Sequence, residues 1–147
     1  MTAEAERWAR ATAGRGIHVR AVPDGTLLTI ERFGSRFLAT RYDAFEQLSA
    51  TLSPGFADEP PSLRDAVGTA LMRAHVFTLG ARAGLDRAGN LAVIAEADGA
   101  LAEAGLAPWL TRTQVVANAM LAIVRVAREN GAPPTHDEIA RLFAPRH

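Results

Sequence analysis

The alternation of apolar and polar side chains is clearest between residues 17 and 41. In IHVRAV, residues 17–22, Ile17, Val19 and Ala21 alternate with His18 and Arg20, the two-residue period of a half-buried strand. Pro23-Asp24-Gly25 supplies a turn, because proline presets φ and glycine accepts a positive one. TLLTIERF at 26–33 reads as a second strand, Gly34-Ser35 as a second turn, and RFLATR at 36–41 as a third strand. This spacing predicts a three-stranded antiparallel meander. Residues 3–13, with Trp8 as their only large apolar side chain, predict a helix ahead of it.

Beyond the meander the period becomes helical. Asp43-Ala44-Phe45-Glu46 has the spacing of a capping box, and Phe45, Leu48 and Leu52 form a stripe, so a short helix is expected over 43–52. SPGFADEPP at 53–61 reads as a linker or long loop. Ser62 opens a second capping arrangement, S-L-R-D, and Leu63, Val67, Ala70, Leu71, Ala74 and Phe77 keep helical spacing, with Gly80 and Gly84 loosening this helix near its end. Asp86 to Asn90, DRAGN, is a turn. Residues 91–105 fit two descriptions: Leu91, Ile94 and Leu101 suit a helix, LAVIA suits a buried strand, and the helix is the expectation. Pro108 is expected to separate this segment from LTRTQVVANAMLAIVRVAREN, a helix apolar on nearly all sides. Such a helix is either central to the core or covered by a partner. A last helix is expected over about 135–143. The fold class is therefore α+β, a three-stranded antiparallel meander packed with a mainly helical C-terminal half. It is expected as a single domain, 1–147, with residues 1–52 (helix, meander, helix) preceding a helical part at 62–147.

Composition narrows the function classes. Hydrophobic residues make up 48% and charged residues 22%, a globular balance that does not fit disorder. The formal net charge is +0, so no global basic field draws the chain to nucleic acid or an anionic membrane. All sixteen basic residues are Arg and Ala is abundant, the codon usage of a GC-rich, bacterial-like genome. The absence of cysteine excludes disulfides, thiolate metal sites and cysteine nucleophiles, and favours a reducing cytoplasm. The N-terminus lacks the apolar core of a signal peptide. The longest apolar run, Val115 to Val124, falls short of the roughly 20 residues needed to cross a bilayer. A soluble protein with no membrane association is expected.

The stretch ENGAPPTHDEIARLF, residues 129–143, is the most specific local signal. Gly131 accepts the left-handed conformation that ends a helix, Pro133 and Pro134 cannot continue one, and Thr135 with Glu138 forms a capping box for the next. Asp137 and Glu138 complement the positive end of its dipole. Leu110-Thr111 with Gln114, then Gly131-Ala132-Pro133-Pro134-Thr135, then Glu138-Ile139-Ala140, resembles the first two helices of the winged helix-turn-helix domain of the LexA repressor family. The resemblance spans residues 110–143. In that family a recognition helix and a β wing follow, whereas here Phe143 is followed only by Ala144, Pro145, Arg146 and His147. Base readout comes from the recognition helix. What the resemblance implies for this chain is phosphate contact, through Arg112, Arg125, Arg128, Thr135, His136, Arg141 and Arg146.

Other constellations are weaker. His18, His75, His136 and His147 are scattered without ligand spacing, so neither a metal site nor a cofactor is expected. The glycines of Ala13-Gly14-Arg15-Gly16 precede a strand, the wrong context for a phosphate loop. Asp86, Glu96, Asp98 and Glu103 cluster in sequence and are the best candidates for acid–base chemistry, yet no residue stands out as catalytic. The expectation is a small non-enzymatic regulatory or adaptor protein acting on a protein partner or as a homodimer. The alternatives are a DNA-associated regulator and an enzyme of unassigned class.

Overall fold

The computed structural model describes residues 1–78 and 80–144. Helix α1 (Ala3–Ala11) is followed by strands β1 (Ile17–Val22), β2 (Gly25–Ile30), β3 (Ser35–Arg41) and β4 (Phe45–Ser53). A 3-10 turn (Phe56–Asp58) leads into α2 (Pro61–Ala74), which ends in a second 3-10 turn (His75–Phe77). Strands β5 (Ala81–Leu85) and β6 (Leu91–Asp98) precede the long helix α3 (Glu103–Asn130) and the short α4 (His136–Phe143). The strands form one six-stranded sheet in the order β1-β2-β3-β4-β6-β5.

The meander forms as its alternation predicts. Leu28 pairs with Val19 on one side and Phe37 on the other, and Ala39 pairs with Thr26 and Leu48, so buried side chains line up across strands. Gly25 is required at the start of β2, since a Cβ there would stand 2.3 Å from the Ala39 carbonyl oxygen. The β4–β6 pair is antiparallel as well. The Gly99 amide donates to the Ala44 carbonyl at one end, and the Gly55 amide donates to Asn90 Oδ1 at the other.

The chain divides into two compact units, each assembled from separate segments. The first comprises residues 1–50 and 94–114; the second comprises the described residues of 51–93 and 115–147. The first unit buries Trp8, Leu28, Phe37, Leu48, Leu106 and Leu110. Trp8 and Trp109 stack with their ring centroids 6.3 Å apart. The second unit buries Val67, Val93, Met120, Ile123 and Ile139. The apolar excess of α3 is thus spent largely on its core, although Val115 and Leu121 remain exposed.

Several expectations are corrected. The α+β class holds, but the sheet has six strands, so a three-stranded meander with a mainly helical C-terminal half describes it too narrowly. Residues 43–52 are not a helix; they lie largely in β4, with Glu46, Leu48 and Leu52 buried. Leu48 and Leu52 are four residues apart, which places them on one face of a helix or a strand alike. The expected helix over 91–105 is β6 for most of its length, with α3 starting at Glu103. Leu91, Ala92 and Val93 are buried in succession, so both faces are covered at the start of β6 and the alternation appears only in its last residues, Ala95 to Asp98. Pro108 does not separate elements but sits in the second turn of α3, where it forgoes a single backbone donor. No helix among the described residues is long and apolar enough to cross a membrane.

Candidate functional site

In the first unit an ionic knot ties α1, β4 and the chain before α3 together. Arg7 forks onto Glu46, Nη1 to Oε1 at 2.5 Å and Nη2 to Oε2 at 3.1 Å, and also donates to Glu4 and to the Leu101 carbonyl. Glu46 in turn accepts from the Leu101 amide at 2.7 Å. Its side chain is only 4% exposed. Burial alone pushes the Glu46 carboxyl up. The bonds from Arg7 and Leu101, with the charges of Arg7 and Arg41, outweigh burial and hold it below the usual carboxylate value. The hydrogen bond to Glu46 likewise raises Arg7, against the opposing effect of burial.

Beside this knot lies a cavity of about 330 Å³, lined by Trp8, Trp109, Glu4, Arg41 and Glu46 together with the β1–β2 turn at Pro23 and Asp24. Arg41 bonds Glu4 at 2.6 Å. Neither the knot nor the cavity was among the sequence candidates. The available signal was Glu46 itself, a charge in phase with Leu48 and Leu52.

In the second unit, an open groove of about 750 Å³ is lined by Leu52, Pro54, Glu59, Leu121, Arg125 and Arg128, among others. Arg128 forks onto Glu59, with Nη1 2.7 Å from Oε2, and also donates to Ser53. The Arg128 hydrogen bond holds the Glu59 carboxyl below its usual value despite partial burial.

The candidate phosphate contacts are distributed between the units. Arg112 is exposed in the first; Arg125 and Arg128 share the groove of the second. Thr135 is occupied as the cap of α4, its hydroxyl accepting from the Glu138 amide at 3.2 Å. His136 and Arg141 are exposed on α4, and Arg146 lies outside the described residues. The bend itself forms as its residues dictate. Gly131 has φ 63°, and Arg73 of α2 donates to the Pro134 carbonyl at 2.9 Å.

Three of the four carboxylates that clustered in sequence have separate duties. Asp86 accepts from the amides of Ala88 and Asn90 and from the Asn90 side chain, which closes the β5–β6 turn. Those bonds, led by the Asn90 amide, hold its carboxyl below the usual value. Glu96 accepts from Gln47, and Glu103 pairs with Arg10. Among the described residues no group of three or more His, Cys, Asp or Glu is placed to hold a metal ion.

An apolar cluster stands out on the second unit. Met72 and Val76 are 74% and 77% exposed at the end of α2. Phe77 follows Val76 and stacks on Phe143 of α4 at 5.5 Å, and Leu142 is exposed beside it. Met72 and Val76 fall outside the stripe of Val67, Ala70, Leu71 and Ala74 that α2 buries, a difference visible in the sequence once the helix is drawn.

No protein-family model matches the chain, and no curated protein matches it in sequence. Among solved structures, it is similar to YbjN from E. coli, provisionally described as a transcription regulator. The likeness has a TM-score of 0.56 at 14% identity and covers 84% of this chain and 88% of that one. A chain in the structure of the heterodimeric ExoU–SpcU complex, from the type III secretion system of Pseudomonas aeruginosa, matches with a TM-score of 0.44 and 14% identity. That match covers 97% of this chain and 98% of the other. At this identity the likeness to YbjN shows a shared fold.

Proposed function

We propose that this is a non-enzymatic regulatory or adaptor protein that acts through protein–protein contacts. The observation that carries this is the number of large apolar side chains left exposed on neighbouring elements: Met72 on α2, Val76 and Phe77 in the 3-10 turn after it, and Leu142 on α4, which the Phe77–Phe143 stack ties to that turn. Single exposed apolar side chains are ordinary, whereas several on adjoining elements favour a surface that is covered in use. The fold shared with YbjN, whose provisional description is regulatory, fits the same reading. A photo-crosslinking residue at position 76, in cells of the protein's own host, is expected to give a discrete adduct with a protein partner or a second copy. The same residue at exposed position 100 gives none, and Met72→Asp removes the adduct. Indistinguishable patterns from positions 76 and 100 would refute the proposal.

A second reading, a DNA-associated regulator related to the LexA family through residues 110–143, is favoured by one observation. Arg125 and Arg141 are exposed, and neither guanidinium has a partner among the described residues. On this reading random duplex DNA is retarded in a low-salt gel, and retardation falls steeply as salt rises. Arg125→Ala with Arg141→Ala weakens it on all sequences alike. Absence of retardation at micromolar protein removes this reading.

A further inference from the structure

The cavity of the first unit is lined by more negative than positive side chains. Its lining carries three carboxylates, Glu4, Asp24 and Glu46, and one guanidinium, Arg41. Glu46 is matched by Arg7, and Glu4 by Arg7 and Arg41. The Asp24 carboxylate has no partner among the described residues; only its backbone carbonyl is engaged, by Thr40. One unmatched negative charge therefore remains at the β1–β2 turn, next to an apolar wall that includes Val22, Trp8 and Trp109. The volume, about 330 Å³, lies at the lower end of the range for small-molecule sites, roughly 300–1,000 Å³.

We infer that this cavity binds an organic cation, an amine or guanidinium on a short apolar stem, with the cationic head on Asp24 and the stem along the indole wall. The donor set does not suit a metal ion, because Glu4 and Glu46 are already engaged by guanidinium groups. The apolar part of the lining, Val22 with the edges of Trp8 and Trp109, shelters the stem from water while the head pairs with Asp24. The same chemistry comes from two sources, a free small molecule or the Arg or Lys side chain of a partner protein.

The chain has two tryptophans, and both line this cavity, so intrinsic fluorescence reports its occupancy directly. The probes are butylguanidinium, its uncharged isostere butylurea, and a capped Gly-Arg-Gly peptide. Butylguanidinium is expected to give a saturable change in emission that butylurea does not. Asp24→Asn, a change on an exposed turn, weakens the response about fivefold, near the most that a rim-exposed ion pair commonly contributes. A peptide that binds more tightly than butylguanidinium assigns the site to a partner's side chain; equal or weaker binding assigns it to a free cation. The inference fails if neither cation gives a saturable change. It fails equally if butylurea matches butylguanidinium, or if Asp24→Asn binds as wild type does.

Discussion

Glu46→Ala is expected to destabilise the protein by about 3 kcal/mol, the lower end of the cost of removing one partner from a buried ion pair. The lower end applies because Arg7, 13% exposed at its side chain, retains Glu4 as a partner. The loss is still large. It leaves the Leu101 amide without its acceptor and frees one side of the link between α1 and β4. For a chain of 147 residues this corresponds to a fall in Tm of roughly 10 °C, measurable by circular dichroism or calorimetry. Glu46→Gln keeps an acceptor for the Leu101 amide and should cost about half as much. An unchanged Tm in Glu46→Ala would show that the knot contributes nothing to stability.

The same residue fixes a pH dependence. Its folded-state pKa lies below the unfolded value, so its stabilising contribution is complete above the ordinary Glu value of about 4.3. It is lost as the pH falls through the lower folded-state value, because the unfolded chain then binds the proton more readily. The stability gap between wild type and Glu46→Gln should therefore be widest near neutral pH and close in acid. Parallel acid limbs in the two proteins would contradict this assignment.

Ile139→Ala is expected to release α4 while leaving most of the protein folded. Ile139 is fully buried, the only buried side chain of an eight-residue helix. A helix that short has no independent stability, since isolated helices below roughly 12–15 residues are marginal. Its order rests on docking through Ile139, the Phe77–Phe143 stack and the Arg73 bond to Pro134. Truncating a buried isoleucine costs roughly 2–5 kcal/mol. Hydrogen exchange of the α4 amides should therefore accelerate by about two orders of magnitude, through local opening rather than global unfolding. Unaltered exchange in α4, or simultaneous loss of protection throughout the chain, would reject a locally docked helix. Release of α4 also dismantles half of the exposed apolar cluster, so crosslinking from position 76 should fall in the same variant.

The two candidate surfaces were unequally visible in the chain. Met72 and Val76 stand one helical turn apart and off the buried stripe of α2, so the exposed cluster was half legible from periodicity. Its other half comes from Leu142 and Phe143, which reach Phe77 only through the packing of α4. The cavity was not legible, because Asp24, Glu4, Trp8 and Trp109 lie on different elements and no spacing relates them. Glu46 shows why β4 was hidden. An inward carboxylate interrupts the alternation that identifies a strand, and its match, Arg7, is 39 residues away.

What the sequence determined by itself is the set of features governed by neighbours within a few residues. These are the β1–β3 alternation and its glycine turns, the Thr135–Glu138 cap, the Gly131 stop, and the helical stripes of α2 and α3. Only the tertiary structure decided the second half of the sheet. The four-residue spacing of Leu48 and Leu52 and the continuous run LAVIA are compatible with either period, and their state is set by pairing between β4 and β6. It also decided which charges are spent. Arg7 and Arg128 are held by Glu46 and Glu59, while Asp24, Arg125 and Arg141 are left without partners among the described residues. Electrostatic matching depends on distance in space, and a local pattern carries no record of it.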